Sequence, residues 1–218
     1  TFTYLLRCAV MGTKKMRTED RREQILDAAL EIGGRNGLQA MNIGDIADRI
    51  GLVPSAVYRH FDGREDLVDA LIERTGSRIL ENIRLVSRHK EDILHQLGCL
   101  FRLHLHLIRT NPAVMQIIFS DEVVFGGEKR QGLIRRITAE YRNELASLVE
   151  KGKDAGAVKP FIDPFGAAFS MISLLQGVGT ALKMEGSRKE IFAMAGSAWY
   201  IFESGIAMYQ SSVRRKIL

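Results

Sequence analysis

Residues 43–61 read IGDIADRIGLVPSAVYRHF, and this stretch decides the fold. Ile43, Ile46, Ala47 and Ile50 recur at helical spacing and form one apolar stripe. Gly51 stands where that helix would stop, because glycine enters the left-handed cap conformation at little cost. Leu52 can then turn inward from the bend. Pro54 suits the first position of a second helix, where its missing N–H is not needed. Val57 and Phe61, four apart, give that helix its inward face. A helix, a tight glycine turn and a second helix make a helix-turn-helix, whose second helix lies in the DNA major groove. The plainer alternative is two ordinary helices of an all-helical core.

The outward residues suit a DNA contact. Arg59 can fork onto guanine or phosphate, and Ser55, Tyr58 and His60 can donate to phosphate oxygens. Ala56 is small enough to touch a thymine methyl, and Pro54 opens the helix toward the groove. Asn42 is a good cap for the first helix, or a phosphate contact.

The segments around this stretch carry a resemblance. RREQILDAALEIGGRNG at 21–37, MNIGDIADRIGLVPSAVYRHF at 41–61 and DGREDLVDAL at 62–71 together resemble the head of the tetracycline-repressor (TetR) family of bacterial transcriptional regulators. The resemblance covers roughly the first third of the chain. Gly44 and Val53 depart from it, standing where the family often has a polar or basic residue and a Ser or Thr cap. It implies a phosphate contact at Arg64, where the family often has lysine. It also implies a small-molecule pocket in a larger helical domain and a dimer through the last two long helices.

Composition agrees with an all-α protein. Only four prolines interrupt a chain rich in helix formers, and no sustained period-two stretch argues for a sheet. Two cysteines far apart, Cys8 and Cys99, give no disulfide framework, which fits a reducing cytoplasm. TFTYLLRCAV at 1–10 is too short to span a membrane, and no later run is expected to span one. The net charge of +5 is placed unexpectedly: residues 1–80 hold twelve Lys and Arg against twelve Asp and Glu, so the whole excess follows residue 80. DNA affinity must therefore rest on local placement, with Lys14, Lys15, Arg17, Arg59 and Arg64 toward phosphate and the acids of the first and fourth helices turned away.

The expected organisation is a flexible arm at 1–17, a helix-turn-helix domain at 18–80 and a ligand-binding and dimerisation domain at 81–218. Basic residues at the end of the arm would reach phosphate or the minor groove, or the arm is an untethered terminus. Thr18 is expected to cap the first helix and Asp62 the fourth. Beyond residue 90, helices are expected over 90–111, 113–119, 131–153, 163–186 and 188–212, with a loop at 123–127. The last two are rich in small residues, such as Gly177, Ala181, Gly196 and Gly205, which suits a four-helix interface between two subunits.

Phe101, His104, Met115, Phe119, Tyr141, Phe169 and Gln176 are candidates to line an effector pocket, although ordinary core is the alternative for each. His95, Cys99 and His106 share one helical stripe, but their spacing lacks a closing ligand and no metal or cofactor is expected. No Gly-x-Ser-x-Gly elbow, phosphate loop or HExxH occurs, so no catalytic residues are assigned. The resulting expectation is a cytoplasmic repressor that binds a palindromic operator as a homodimer and is released by a small apolar or aromatic effector. The rival is a carrier or enzyme with a vestigial head.

Overall fold

The turn of the helix-turn-helix closes at Gly51, whose φ of 67° is the left-handed value that glycine tolerates. The computed structural model describes residues 17–88, 92–111, 114, 123, 126–184 and 187–208, with the side chains of 35, 36 and 183 excepted. Among these the order is α1 (Thr18–Asn36), a 3-10 turn (Leu38–Ala40), α2 (Ile43–Arg49), α3 (Pro54–Val57), α4 (Arg64–Ser87) and α5 (Ile93–Thr110). Then come α6 (Glu128–Asp154), α7 (Pro164–Met184) and α8 (Arg188–Ile206). The fold is all-α, with a helix-turn-helix head and a larger helical body. Residues 1–16 of the expected arm, most of the expected helix at 113–119 and residues 124–125 of the expected loop lie outside the described residues.

Two buried clusters result. The head cluster joins Ile25 and Ala29 of α1, Met41, Ile46, Val57, Phe61 and the first half of α4, from Leu67 to Ile72. The body cluster joins Leu80, Ile83 and Val86 of the same helix to α5, α6, α7 and α8. One uninterrupted helix of 24 residues thus contributes to both cores. A straight helix transmits position along its length, so whatever holds α4 also aims the head.

What holds α4 is chiefly α6. Glu65, Asp69 and Glu73 recur every four residues on one stripe of α4. Arg130 of α6 sits between the first two, donating to Asp69 Oδ1 at 2.8 Å and Glu65 Oε2 at 2.7 Å. Its side chain is only 7% exposed. Lys129 meets Asp69 at 3.1 Å and Arg136 meets Glu73 at 3.2 Å. Further along, the pair is reversed, with Arg84 donating to Glu140 at 2.6 Å. The hydrogen bond from Arg130 holds the Glu65 carboxyl below its ordinary range. This explains the charge distribution: body cations neutralise head acids. On the other side, Arg74 ties α4 to α1 through Glu23 and Asp27.

Several local expectations are corrected. Thr18 opens α1 rather than capping it, and the residue at the cap, Arg17, makes no side-chain cap bond. Gly63 occupies the cap of α4, while Asp62 gives its own backbone N–H to Asp66 at 3.2 Å. α8 ends at Ile206, where Val158 and Ala207 form a short antiparallel bridge and Lys159 Nζ donates to the Gly205 carbonyl at 2.8 Å. α7 is long and apolar enough, by length and composition, to cross a membrane, which overturns the expectation for later segments. In the fold one face of α7 packs into the core through Ala168, Met171 and Leu175, while Phe165 and Phe169 face outward.

α4 and α6 approach closely at Gly76. A Cβ there would lie 2.6 to 3.0 Å from the side-chain carbons of Ile137. Gly76→Ala should therefore cost about 1–3 kcal/mol. Paired with Ile137→Ala, the two costs should fall short of their sum by more than about 1 kcal/mol. Urea unfolding of the two single variants and the double variant checks this; strict additivity would mean that the helices are not in contact there.

Candidate nucleic-acid interface and interior cavity

The second helix of the helix-turn-helix presents its polar face to solvent. Pro54 occupies its first position, Val53 precedes it without a side-chain cap bond, and Val57 and Phe61 are buried. Pro54, Ser55, Tyr58 and Arg59 are exposed, Tyr58 at 55%, and Ala56 and His60 are half-buried. The winding continues past α3, with Tyr58 N–H on Pro54 O and Phe61 N–H on Val57 O. Val53, 61% exposed, also belongs to this face, and its apolar side chain gave no signal among polar candidates.

The arginines of the head divide into those that build it and one that is uncommitted. Arg22 donates to the His60 carbonyl at 2.6 Å and lies 4.1 Å over the Phe61 ring, pinning the end of the second helix. Sequence spacing marks Arg22 only as a surface residue of α1. Arg49 pairs with Glu31, Arg21 with Gln24 and Arg74 with two acids of α1. Arg17 pairs with Asp20 at 3.1 Å. Among arginines 17–74 whose side chains are described, Arg59 makes no hydrogen bond or ion pair. A guanidinium without an internal partner, on an exposed face, is available to an outside acceptor.

Two expected DNA contacts prove to have structural work. Arg64 donates to Leu38 O at 2.6 Å and Met41 O at 3.0 Å, fastening the 3-10 turn to α4. Its guanidinium is thereby engaged within the head. Asn42 caps α2, its Oδ1 accepting from the Asp45 N–H at 2.8 Å, which is the first of its two expected roles. Lys15 lies outside the described residues.

Between α4, α5, α6 and α7 lies a cavity of about 150 Å³. Ile72, Gly76 and Ile79 of α4 form one wall, Leu107 and Ile108 of α5 a second, and Ile134, Ile137 and Thr138 of α6 a third. Ile172, Leu175 and Gln176 of α7 close it, with Val114 and Val123 beside them. His104 and Tyr141 also line it, so three of the expected pocket residues meet there. Phe101 does not: it stacks on Trp199 at 5.0 Å inside the body core. Phe169 does not either, being 69% exposed on the outer face of α7. Met115 and Phe119 lie outside the described residues. The aliphatic lining from α4 and α6 carried no sequence signal separating it from core.

No Lys, Arg, Asp or Glu lines this cavity among the described residues. Its polar groups are neutral. His104 Nδ1 bonds the Leu100 carbonyl at 2.8 Å, and since a carbonyl only accepts, Nδ1 carries the proton. Burial pushes the His104 imidazole below its ordinary pKa, against the opposing effect of that bond. Burial alone pushes the Tyr141 phenol well above its usual range. On the outer stripe of α5, Cys99 accepts from Arg102 at 3.1 Å and His106 meets Arg109. No group of three His, Cys, Asp or Glu gathers for a metal among the described residues.

Comparison with known proteins places this geometry. Residues 25–71 match the family model described as bacterial regulatory proteins, tetR family. A nucleoid occlusion factor SlmA from Edwardsiella ictaluri is 29% identical over 140 residues, covering 62% of this chain and 71% of that protein. The transcriptional regulator FadR from Bacillus subtilis, solved in complex with stearoyl-CoA, superposes with a TM-score of 0.72 at 22% identity, covering 84% and 98% of the two chains. A putative transcriptional regulator from Saccharomonospora viridis, solved with choline, gives 0.76 at 18% identity, covering 88% of this chain and all of that one. At these identities the structural likenesses establish the shared fold.

The neutral, buried His104 has a consequence for stability. Its folded pKa is depressed, so its contribution is fully present above the ordinary imidazole pKa of about 6.5 and is lost as pH falls from there through the folded value. Between pH 7.5 and 5.5 the native protein should lose stability faster than His104→Leu, by up to about 1.4 kcal/mol per pH unit. Urea unfolding across that range checks it, and identical pH slopes would contradict the buried, neutral assignment.

Proposed function

We infer that this chain, which belongs through its helix-turn-helix head to the tetR family of bacterial regulatory proteins, is a ligand-responsive, DNA-binding transcriptional regulator. The observation that carries the reading is the unpartnered Arg59 on the exposed face of the second helix, flanked by Ser55 and Tyr58. Arg59 reads a base edge or grips phosphate; Ser55, Tyr58 and His60 donate to phosphate, and Ala56 and Pro54 allow close approach. Arg17, although paired with Asp20 on the exposed surface, can exchange that partner for phosphate at little cost. Lys15 in the preceding arm adds charge. Arg22, Arg64 and Asn42 hold this face in shape.

The protein acts as a homodimer. Beside Phe165 and Phe169 of α7, Met194, Tyr200 and Ile201 of α8 are exposed, and Gly177, Gly196 and Gly205 open onto empty space. Exposed apolar side chains of this size on two adjacent helices call for a partner, and open glycines let a second pair of helices approach closely. Two-fold symmetry then presents two reading helices to successive major grooves, about 34–36 Å apart, and matches a palindromic operator. The cavity is the effector site, consistent with relatives of the same fold solved with stearoyl-CoA or choline. An effector there touches Ile72, Gly76 and Ile79, so it acts on α4, and the head follows. The expected outcome is release of DNA, which makes the protein a repressor rather than an enzyme.

Selection of bound sequences from random duplex DNA, with native protein and Arg59→Ala at two salt concentrations, tests the reading. A palindromic motif with half-sites one helical turn apart is expected, with affinity at least about tenfold lower in the variant. Salt-insensitive binding, or none at low salt, would overturn it in favour of a carrier with a vestigial head.

A further inference from the structure

The cavity contains two buried polar atoms without a protein partner among the described residues: His104 Nε2 and Tyr141 Oη. Both side chains are more than nine-tenths buried, at 5% and 7% exposure, and both line the cavity. Their rings lie side by side, 5.4 Å between centroids at 54°. Buried polar groups left unmade are costly, so a cluster of two in one cavity points to a ligand that completes them.

The hydrogen-bond roles are set by connectivity. Because Nδ1 of His104 donates to the Leu100 carbonyl, Nε2 of the neutral ring has only a lone pair and needs a donor. Tyr141 Oη has a proton to give. The occupant must therefore donate to one atom and accept from the other within a small space. A carboxylate or phosphate accepts only, and no cation among the described residues lines the wall to balance its charge. A ketone accepts from Tyr141 but leaves Nε2 unsatisfied, and an ammonium donates to Nε2 but cannot accept from the phenol. A hydroxyl does both on a single oxygen, which suits the small space. Apart from Thr138 and Gln176 the rest of the wall is aliphatic, and an apolar cavity of about 150 Å³ is known to take a benzene ring.

We propose that the cavity binds an uncharged, ring-sized apolar molecule through one hydroxyl, which donates to His104 Nε2 and accepts from Tyr141 Oη. The assignment rests on reading this cavity as the effector site and names the chemistry of that effector: a phenol or a compact alcohol. Gln176 of α7 also lines the cavity but is not one of the two buried unpartnered groups.

Calorimetric titration of the full-length protein with p-cresol, toluene and benzoate tests the proposal. p-Cresol should bind about tenfold or more tightly than toluene, and benzoate should not compete. Tyr141→Phe and His104→Leu should each shrink the preference for p-cresol while toluene binding persists, which shows that each variant still holds a formed cavity. Equal affinities for p-cresol and toluene, a preference for benzoate, variants that keep the full preference, or no binding of either ring would overturn it. Operator affinity measured with and without p-cresol separates the two readings. Preserved cresol chemistry with unchanged DNA affinity would refute the effector role alone, whereas DNA release by benzoate or toluene but not p-cresol would refute the hydroxyl assignment alone.

Discussion

The contact on which the rest of the molecule depends is the buried Arg130 guanidinium between Glu65 and Asp69. It joins the longest body helix to the first turns of α4, close to where the head begins. Removing a charge from water is costly, and only a partner with good geometry offsets that cost. Here two carboxylates supply it, with Lys129 and Arg136 extending the seam. The seam also disposes of head acids that would otherwise repel a nucleic acid. A head whose own acids outnumber its bases, twelve to eight over residues 18–80, can then present a basic reading face, because its acids are engaged elsewhere.

The same helix forms a wall of the cavity. Going along α4, the seam residues Glu65, Asp69 and Glu73 give way to Ile72, Gly76 and Ile79, which face the space enclosed with α5, α6 and α7. At Gly76 the backbone of α4 comes so near Ile137 that no side chain fits without movement. A tightly packed contact of this kind does not deform continuously; it shifts between discrete arrangements. An occupant that prefers one arrangement shifts the population by its differential affinity and no more. Sensing and DNA reading thus meet in one element rather than along a long path.

Much of this was legible in the chain itself, and the reasons are local. The turn at Gly51, the start at Pro54, the cap at Asn42 and the inward Val57 and Phe61 are short-range features whose physics lies within a few residues. Helices with strong apolar stripes, such as α5, were legible for the same reason. What escaped depends on distant partners. Arg64 looks like a free surface cation until the carbonyls of Leu38 and Met41, more than twenty residues away, come within reach. Phe101 and Phe169 look alike as pocket candidates, yet one stacks on Trp199 in the core and the other faces out. α7 is apolar on both faces, so its periodicity is weak and neither its inward side nor its membrane-like composition could be read correctly. Arg130 reads as one of several basic residues of α6, and only the fold puts two carboxylates around it.

The central claim is that the α4–α6 seam fixes the pose of the head. Spin labels at Asp62→Cys in the head and Glu150→Cys in α6 test it most directly, in a background with Cys8→Ser and Cys99→Ser and diluted into unlabelled subunits. Electron–electron dipolar spectroscopy should return a single narrow separation, and Arg130→Met should broaden or displace it while the body stays folded. A distribution that Arg130→Met leaves unchanged, or one already broad in the native protein, would contradict the account.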